Sequence, residues 1–136
     1  MKYVLSVIAV LSAPVIYGVV CVPLIGVLMS TKPELVNDMG GTEDVMLTLQ
    51  AELIQAVILL LCGFVVAFIA RFKPMHHAAA AALLMLGIGL SVQMSFWESM
   101  LIWHHFVFFG LIVFGLPSGA YLQGRLFSPA ADTTAR

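Results

Sequence analysis

Charge is what this chain has least of. Lys and Arg number 6 and Asp and Glu 7, together 10% of 136 residues. A typical soluble domain carries about 25%. So sparse a set cannot cover a globular surface, and lipid is the expected solvent for most of the chain. A net charge of −1 leaves no basic patch for nucleic acid and no polybasic stretch for anionic lipid. Cysteine is scarce too. Cys21 and Cys62 lie inside apolar stretches, with no C-x-x-C and no Cys/His cluster at metal spacing. That excludes a disulfide scaffold, and both thiols are expected to be small buried hydrophobes. Catalytic signatures are missing as well: there is no G-x-x-x-x-G-K-[ST] and no H-E-x-x-H. Glu98-Ser99 close to His104 is spacing alone, so no catalytic residue is assigned and no cofactor is firmly implied.

What the chain does have is four long runs without Asp, Glu, Lys or Arg, at 3–31, 53–70, 74–97 and 99–124. A helix needs about 20 residues, with a range of about 17–25, to cross a hydrocarbon core of about 30 Å. The expected fold is therefore an all-α integral membrane protein with one four-span domain over 1–136. Its spans are placed at about 3–29, 52–70, 77–94 and 101–123, in an antiparallel bundle. The outer loop is 30–51 and the tail 124–136. Met1-Lys2 followed by an apolar run mimics a signal peptide. The run outlasts a normal h-region and ends in no clean cleavage site, so it is read as a retained first span.

The charges are sorted by side. With four spans both termini share a side, which collects Lys2, Arg71, Lys73, Arg125 and Arg136; only Lys32 falls opposite. The positive-inside rule places that side in the cytoplasm. Glu34, Asp38, Glu43, Asp44, Glu52 and Glu98 then face out and Asp132 faces in. Trp97 and Trp103 flank the outer turn between spans three and four, where indoles favour the interface. The lack of an N-x-[ST] sequon and of a transit peptide favours a bacterial inner membrane.

Loop and packing signals follow. Thr31-x-x-Glu34 reads as a capping box opening a short helix that Gly40-Gly41 ends. Thr42 reads as the cap of a second helix, with Glu43 and Asp44 in its first turn, projecting span two about two turns above the membrane. Gly63-x-x-x-Ala67 and Gly115-x-x-x-Gly119 allow close backbone approach within or between chains. Pro14, Pro23 and Pro117 should bend or open their helices.

The polar residues with chemical potential gather at the outer edge. Asp44, Thr48, Glu52 and Gln55 share one face of span two. Glu98 and His105 would lie two turns apart on one face of span four, if that helix starts early. Gln93 ends span three at the same level. Glu52, Glu98, His104 and His105 are the metal-ligating candidates, with Gln55 and Gln93 completing a polar outer cluster. The first expectation is that they are solvated in the headgroup zone. The alternative is convergence between helices into a cation, metal or proton site. His76-His77 starts span three at the opposite edge, about a full span from His104-His105, so no single metal joins the pairs. Adjacent helical histidines point about 100° apart, which makes each pair a poor chelate. A haem would need a homodimer to pair His105 with its own copy.

Short loops and the missing motifs point first to an interaction or accessory subunit, in a homo-oligomer or with other membrane subunits. A small oligomeric transporter or channel with an outer polar vestibule comes second. Against it, no ionisable group lies near the midplane of any span. A membrane enzyme or a metal- or haem-binding redox protein using the outer Glu/His cluster comes third. The lipid bilayer is the one partner common to all three, and nucleic acid is partner to none.

Overall fold

The computed structural model describes residues 2–127. Asp132, Arg136 and the end of the expected tail lie outside them. The described residues form helices α1 (Lys2–Ile16), α2 (Val22–Ser30), α3 (Val45–Ala70), α4 (Pro74–Ser95) and α5 (Ile102–Phe127), with no strand. A π-helical segment, Tyr17–Cys21, joins α1 to α2, and together they make one long rod. Four helices are thus long and apolar enough to cross a membrane: Tyr3–Ser30, Val45–Ala70, Pro74–Ser95 and Ile102–Phe127. Their outer faces carry large bare hydrophobes such as Leu53, Leu83, Phe106 and Phe114, as expected of helices surrounded by lipid. This is a multi-pass membrane protein built as a helical bundle.

The π segment sits where Pro23 enters the second residue of α2. A proline ring clashes with the carbonyl four residues back and offers no N–H to it. Here the ladder slips by one residue beforehand, and Val22 N–H bonds to Tyr17 O. Such a bulge redirects a helix without breaking its hydrogen-bonding. Pro14 and Pro117 are instead carried inside α1 and α5.

α3 is the centre of the bundle and touches all the other helices. Its closest partner is α5. A Cβ added at Gly63 would overlap the Leu116 carbonyl, and one at Gly119 would overlap the Leu60 carbonyl. The two small-x-x-x-small patterns therefore serve packing within the chain. In lipid, where burial of apolar surface no longer drives helices together, such close van der Waals contact takes its place. Leu59, Val66, Ile112 and Leu116 are fully buried along this seam, and Ala78 and Ala81 bring in α4. Cys21 and Cys62 are free and buried. The Cys62 thiol donates to Ala13 O at 3.6 Å.

The first loop departs from expectation. Thr31 does not open a helix; it is the C-cap of α2, and its hydroxyl donates back to Leu28 O at 2.7 Å. Only a single 3-10 turn forms, Pro33–Leu35, because Val36 goes extended to bridge Thr42. The cap of α3 is Asp44, whose carboxylate accepts from Leu47 N–H at 2.7 Å. Thr42 instead donates to Leu35 O at 2.8 Å and accepts from Asp44 N–H at 3.1 Å. Gly40 takes φ +80 as the turn requires. α3 then begins about two turns before Glu52.

Asn37 fastens this loop to the link between α4 and α5. Its Oδ1 accepts from Gly41 N–H at 2.9 Å and Met39 N–H at 3.2 Å, while its Nδ2 donates to Ser99 O at 2.9 Å. Asn37→Ala leaves the buried Gly41 N–H and Ser99 O short of a partner, while water can reach the exposed Met39 N–H, and is expected to cost about 1 kcal/mol. Thermal unfolding should show the loss, and amide exchange should quicken at 37–42 and 99 but not along α3.

Candidate functional site

The polar face of α3 turns into the bundle. Thr48, Glu52 and Gln55 are all buried, as are Gln93 near the end of α4 and His104 and His105 in the first turn of α5. The expectation of solvated headgroup residues is overturned for Glu52, Gln55, Gln93, His104 and His105. Glu52 is 5% exposed and His105 0%. The reason is helix rotation: the polar stripe of α3 faces α5 and α4 rather than their flanks.

One hydrogen-bonded chain links three of the helices. His104 Nδ1 pairs with Glu52 Oε1. His104 Nε2 lies 3.3 Å from Gln93 Nε2, and Gln93 Oε1 lies 2.6 Å from His105 Nδ1. An amide has one donor end and one acceptor end, so with the Gln93 amide in this orientation one tautomer of each histidine completes the chain. Gln93 N–H donates to His104 Nε2, leaving His104 Nδ1–H to donate to Glu52. His105 Nδ1–H donates to Gln93 Oε1, leaving the His105 Nε2 lone pair bare. Trp97 stacks on the His105 ring at 4.4 Å and 13°. Glu52 Oε2 and His105 Nε2 are buried without a partner. The 100° splay between the histidines, which spoils them as a chelate, suits them to separate neighbours. His104 reaches α3 and α4, and His105 reaches α4 and Trp97 in the turn after it.

Gln55 lies one turn further along α3 and accepts from the Tyr17 hydroxyl at 2.6 Å. Beyond that pair the interior is closed by Leu59, Cys62, Val66, Ile112 and Leu116. The polar cluster therefore occupies one end of the bundle only.

Glu98 does not join. It is exposed in the 96–101 turn, because α4 ends at Ser95 and α5 starts only at Ile102. Ser99 N–H and its hydroxyl both bond Phe96 O, at 3.0 Å each, which holds that turn non-helical. The expected Glu98–His105 face does not exist. His76 and His77 sit at the start of α4, and His77 bonds its own turn at Lys73 O, 3.0 Å away.

No family, curated protein or solved structure matches this chain.

Among the described residues no group of three or more His, Cys, Asp or Glu is placed to hold a metal ion. The cluster holds one carboxyl and two imidazoles, but Gln93 stands between the imidazoles. What it can do is hold protons at defined atoms and offer two unfilled polar positions in a site lined mainly by side chains. Sequence reasoning missed Tyr17 and assigned Trp97 only to the interface. A phenol deep in an apolar run needs a hydrogen-bond partner at its own depth. That was the available signal, and Gln55 is the partner.

Proposed function

We propose that this chain is a bacterial inner-membrane protein working as a ligand-holding subunit of a homo-oligomer or larger membrane complex, with Glu52, His104, Gln93 and His105 as its working site. One observation supports the site above all: a carboxyl and two imidazoles are kept inside a membrane bundle with Glu52 Oε2 and His105 Nε2 unfilled. Ionisable groups inside membrane spans are expensive and are retained for function. A conducting path fits less well, since the fully apolar core beyond Gln55 offers an ion nothing to exchange its water for. The cluster reads as a site served from one end.

The proposed topology is an antiparallel bundle with both termini in the cytoplasm. The tight 71–73 and 96–101 links favour antiparallel neighbours. Arg71, Lys73 and Arg125 favour the cytoplasm for their end. The cluster then belongs to the outer side. Single cysteines in a Cys21→Ser, Cys62→Ser background test this. An impermeant maleimide should label Glu98→Cys in intact cells and Lys73→Cys only after lysis; the reverse pattern inverts the topology.

Native mass spectrometry from mild detergent tests the site. The wild-type chain should carry a second copy, a partner or a small molecule that is lost from Glu52→Gln and His105→Ala while both stay folded. A bare single chain, or a co-isolated species indifferent to both changes, overturns the proposal.

A further inference from the structure

Beside the cluster, a cavity of about 530 Å³ opens between the first rod and the other helices. It runs alongside and beyond the π segment. Past the bulge, α2 keeps contact with α3 but has none with α4 or α5. A gap is left there. Val22 on α2 and Ile88 and Val92 on α4 line it, and each is about half exposed. In a bilayer these residues face acyl chains, so the gap opens sideways into hydrocarbon. Gly18 and Gly26 also line it, and a Cβ on either would meet nothing within 4 Å. The space is therefore real room at both glycines.

The inner end of the same cavity is polar: Gln55, Gln93 and His104 reach it. Gln55 is 3% exposed, and its oxygen is taken by Tyr17. Its amide nitrogen has no partner among the described residues. Gln93 has a second N–H beyond the one given to His104. The site thus offers N–H donors to a ligand and asks for acceptor oxygens. No Lys or Arg lines the cavity, and Glu52 lies one turn from Gln55 with an unpaired oxygen. A phosphate or carboxylate head would find no cation there and an acidic neighbour. Phe108 also lines the cavity, tilted against His104 at 6.3 Å between ring centres, and gives a flat face for a flat head.

We infer that this cavity holds an uncharged, lipid-soluble carbonyl compound of the quinone class. It enters sideways from the bilayer between α2 and α4, with its head on Gln55 and Gln93 and its tail toward Val22, Ile88 and Val92. This rests on the reading of the cluster as a ligand-holding site, of which Gln93 and His104 line the cavity while Glu52 and His105 stand behind them, and it names a ligand for the cavity side of that cluster. Each amide contact is a hydrogen bond that the empty site cannot make, and polar groups left unpaired in apolar surroundings favour a ligand that fills them.

The test uses purified full-length protein in neutral detergent and decylubiquinone, which quenches nearby indoles. Trp97, stacked on His105, is the reporter, and Trp103→Phe removes the other indole. Quenching should saturate in the wild type. Gly26→Phe should fill the cavity and weaken binding at least about tenfold, and Gln55→Leu should weaken it by about tenfold through one lost hydrogen bond. Gly18→Phe serves as a second filling variant should Gly26→Phe lose its helical circular dichroism. A lysophospholipid should not compete. Quenching that does not saturate, binding untouched by both filling variants, or equal competition by the lysophospholipid overturns the inference. If quinone fails while the native mass experiment shows a cluster-dependent ligand, the quinone class falls and the site stands.

Discussion

Glu52→Ala is expected to lower the stability of the bundle by about 3–5 kcal/mol, the largest loss from any polar substitution in it. The carboxyl is buried and its partner His104 equally so. Truncation leaves the buried His104 Nδ1–H with no acceptor. It also frees the imidazole to turn away from Gln93, loosening His105 in sequence. The cost comes mostly from the orphaned partner, and that gives the prediction its internal controls. Glu52→Gln keeps an oxygen at the same place and should cost only about 1 kcal/mol, the value of exchanging a strong acceptor for a neutral one. Replacing both partners, Glu52→Leu with His104→Leu, should cost less than Glu52→Ala alone, because well-packed apolar groups replace a buried pair at little net loss. Thermal or denaturant unfolding in one fixed detergent, read as a double-mutant cycle, checks all of these. Additive single losses would mean that the two side chains are not coupled.

Gly119→Val should separate α3 from α5, at or beyond the upper end of the roughly 1–3 kcal/mol that overpacking usually costs. The added atoms would meet the Leu60 carbonyl and the Phe64 backbone nitrogen. A side chain can rotate away from an intruder; a helix backbone can only retreat. Retreat here opens the seam around Leu59, Ile112 and Leu116 and carries His104 away from Glu52, so the site should fail with the fold. Gly110 supplies the control on the same helix. A Cβ there meets nothing within 4 Å, and Gly110→Ala should stabilise by about 0.5–1 kcal/mol through helix propensity alone. If both glycines tolerate substitution equally, close packing of α3 on α5 is wrong. Quenching at Trp97 in the same variants separates loss of the site from loss of helix.

Several features were legible before any coordinates. The polar stripe Thr48, Glu52, Gln55 on one helix face was visible, and so was the common depth of Gln93, His104 and His105. What was missed is that the stripe points inward. In water an amphipathic stripe tells which side of a helix is buried, because the other side must be polar. In lipid the outside is as apolar as the core, so rotation leaves little trace in sequence. Solvation at the interface is accordingly the first expectation; it holds for the exposed Glu98 and fails for Glu52, Gln55, Gln93, His104 and His105. Glu98 shows the converse error. Its seven-residue spacing from His105 assumed a helix that Ser99 and Asn37 prevent from starting until Ile102. The capping reading failed for a similar reason. Thr42 is a good cap by type, but its hydroxyl is engaged by Leu35 and by the N–H of Asp44, and the cap moves to Asp44.

By itself the sequence determined that four segments cross a membrane and which polar residues share a depth. Hydropathy and length settle the first, and counting along a helix settles the second. Only the tertiary structure decided that Glu52, His104, Gln93 and His105 form one chain, that Glu98 stands apart, and that a cavity lies beside them along the π segment. Those outcomes depend on how each helix is rotated and where it bends. Both are set by backbone contact at Gly63 and Gly119 and by the hydrogen-bond slip before Pro23, and neither is written in the composition of a span.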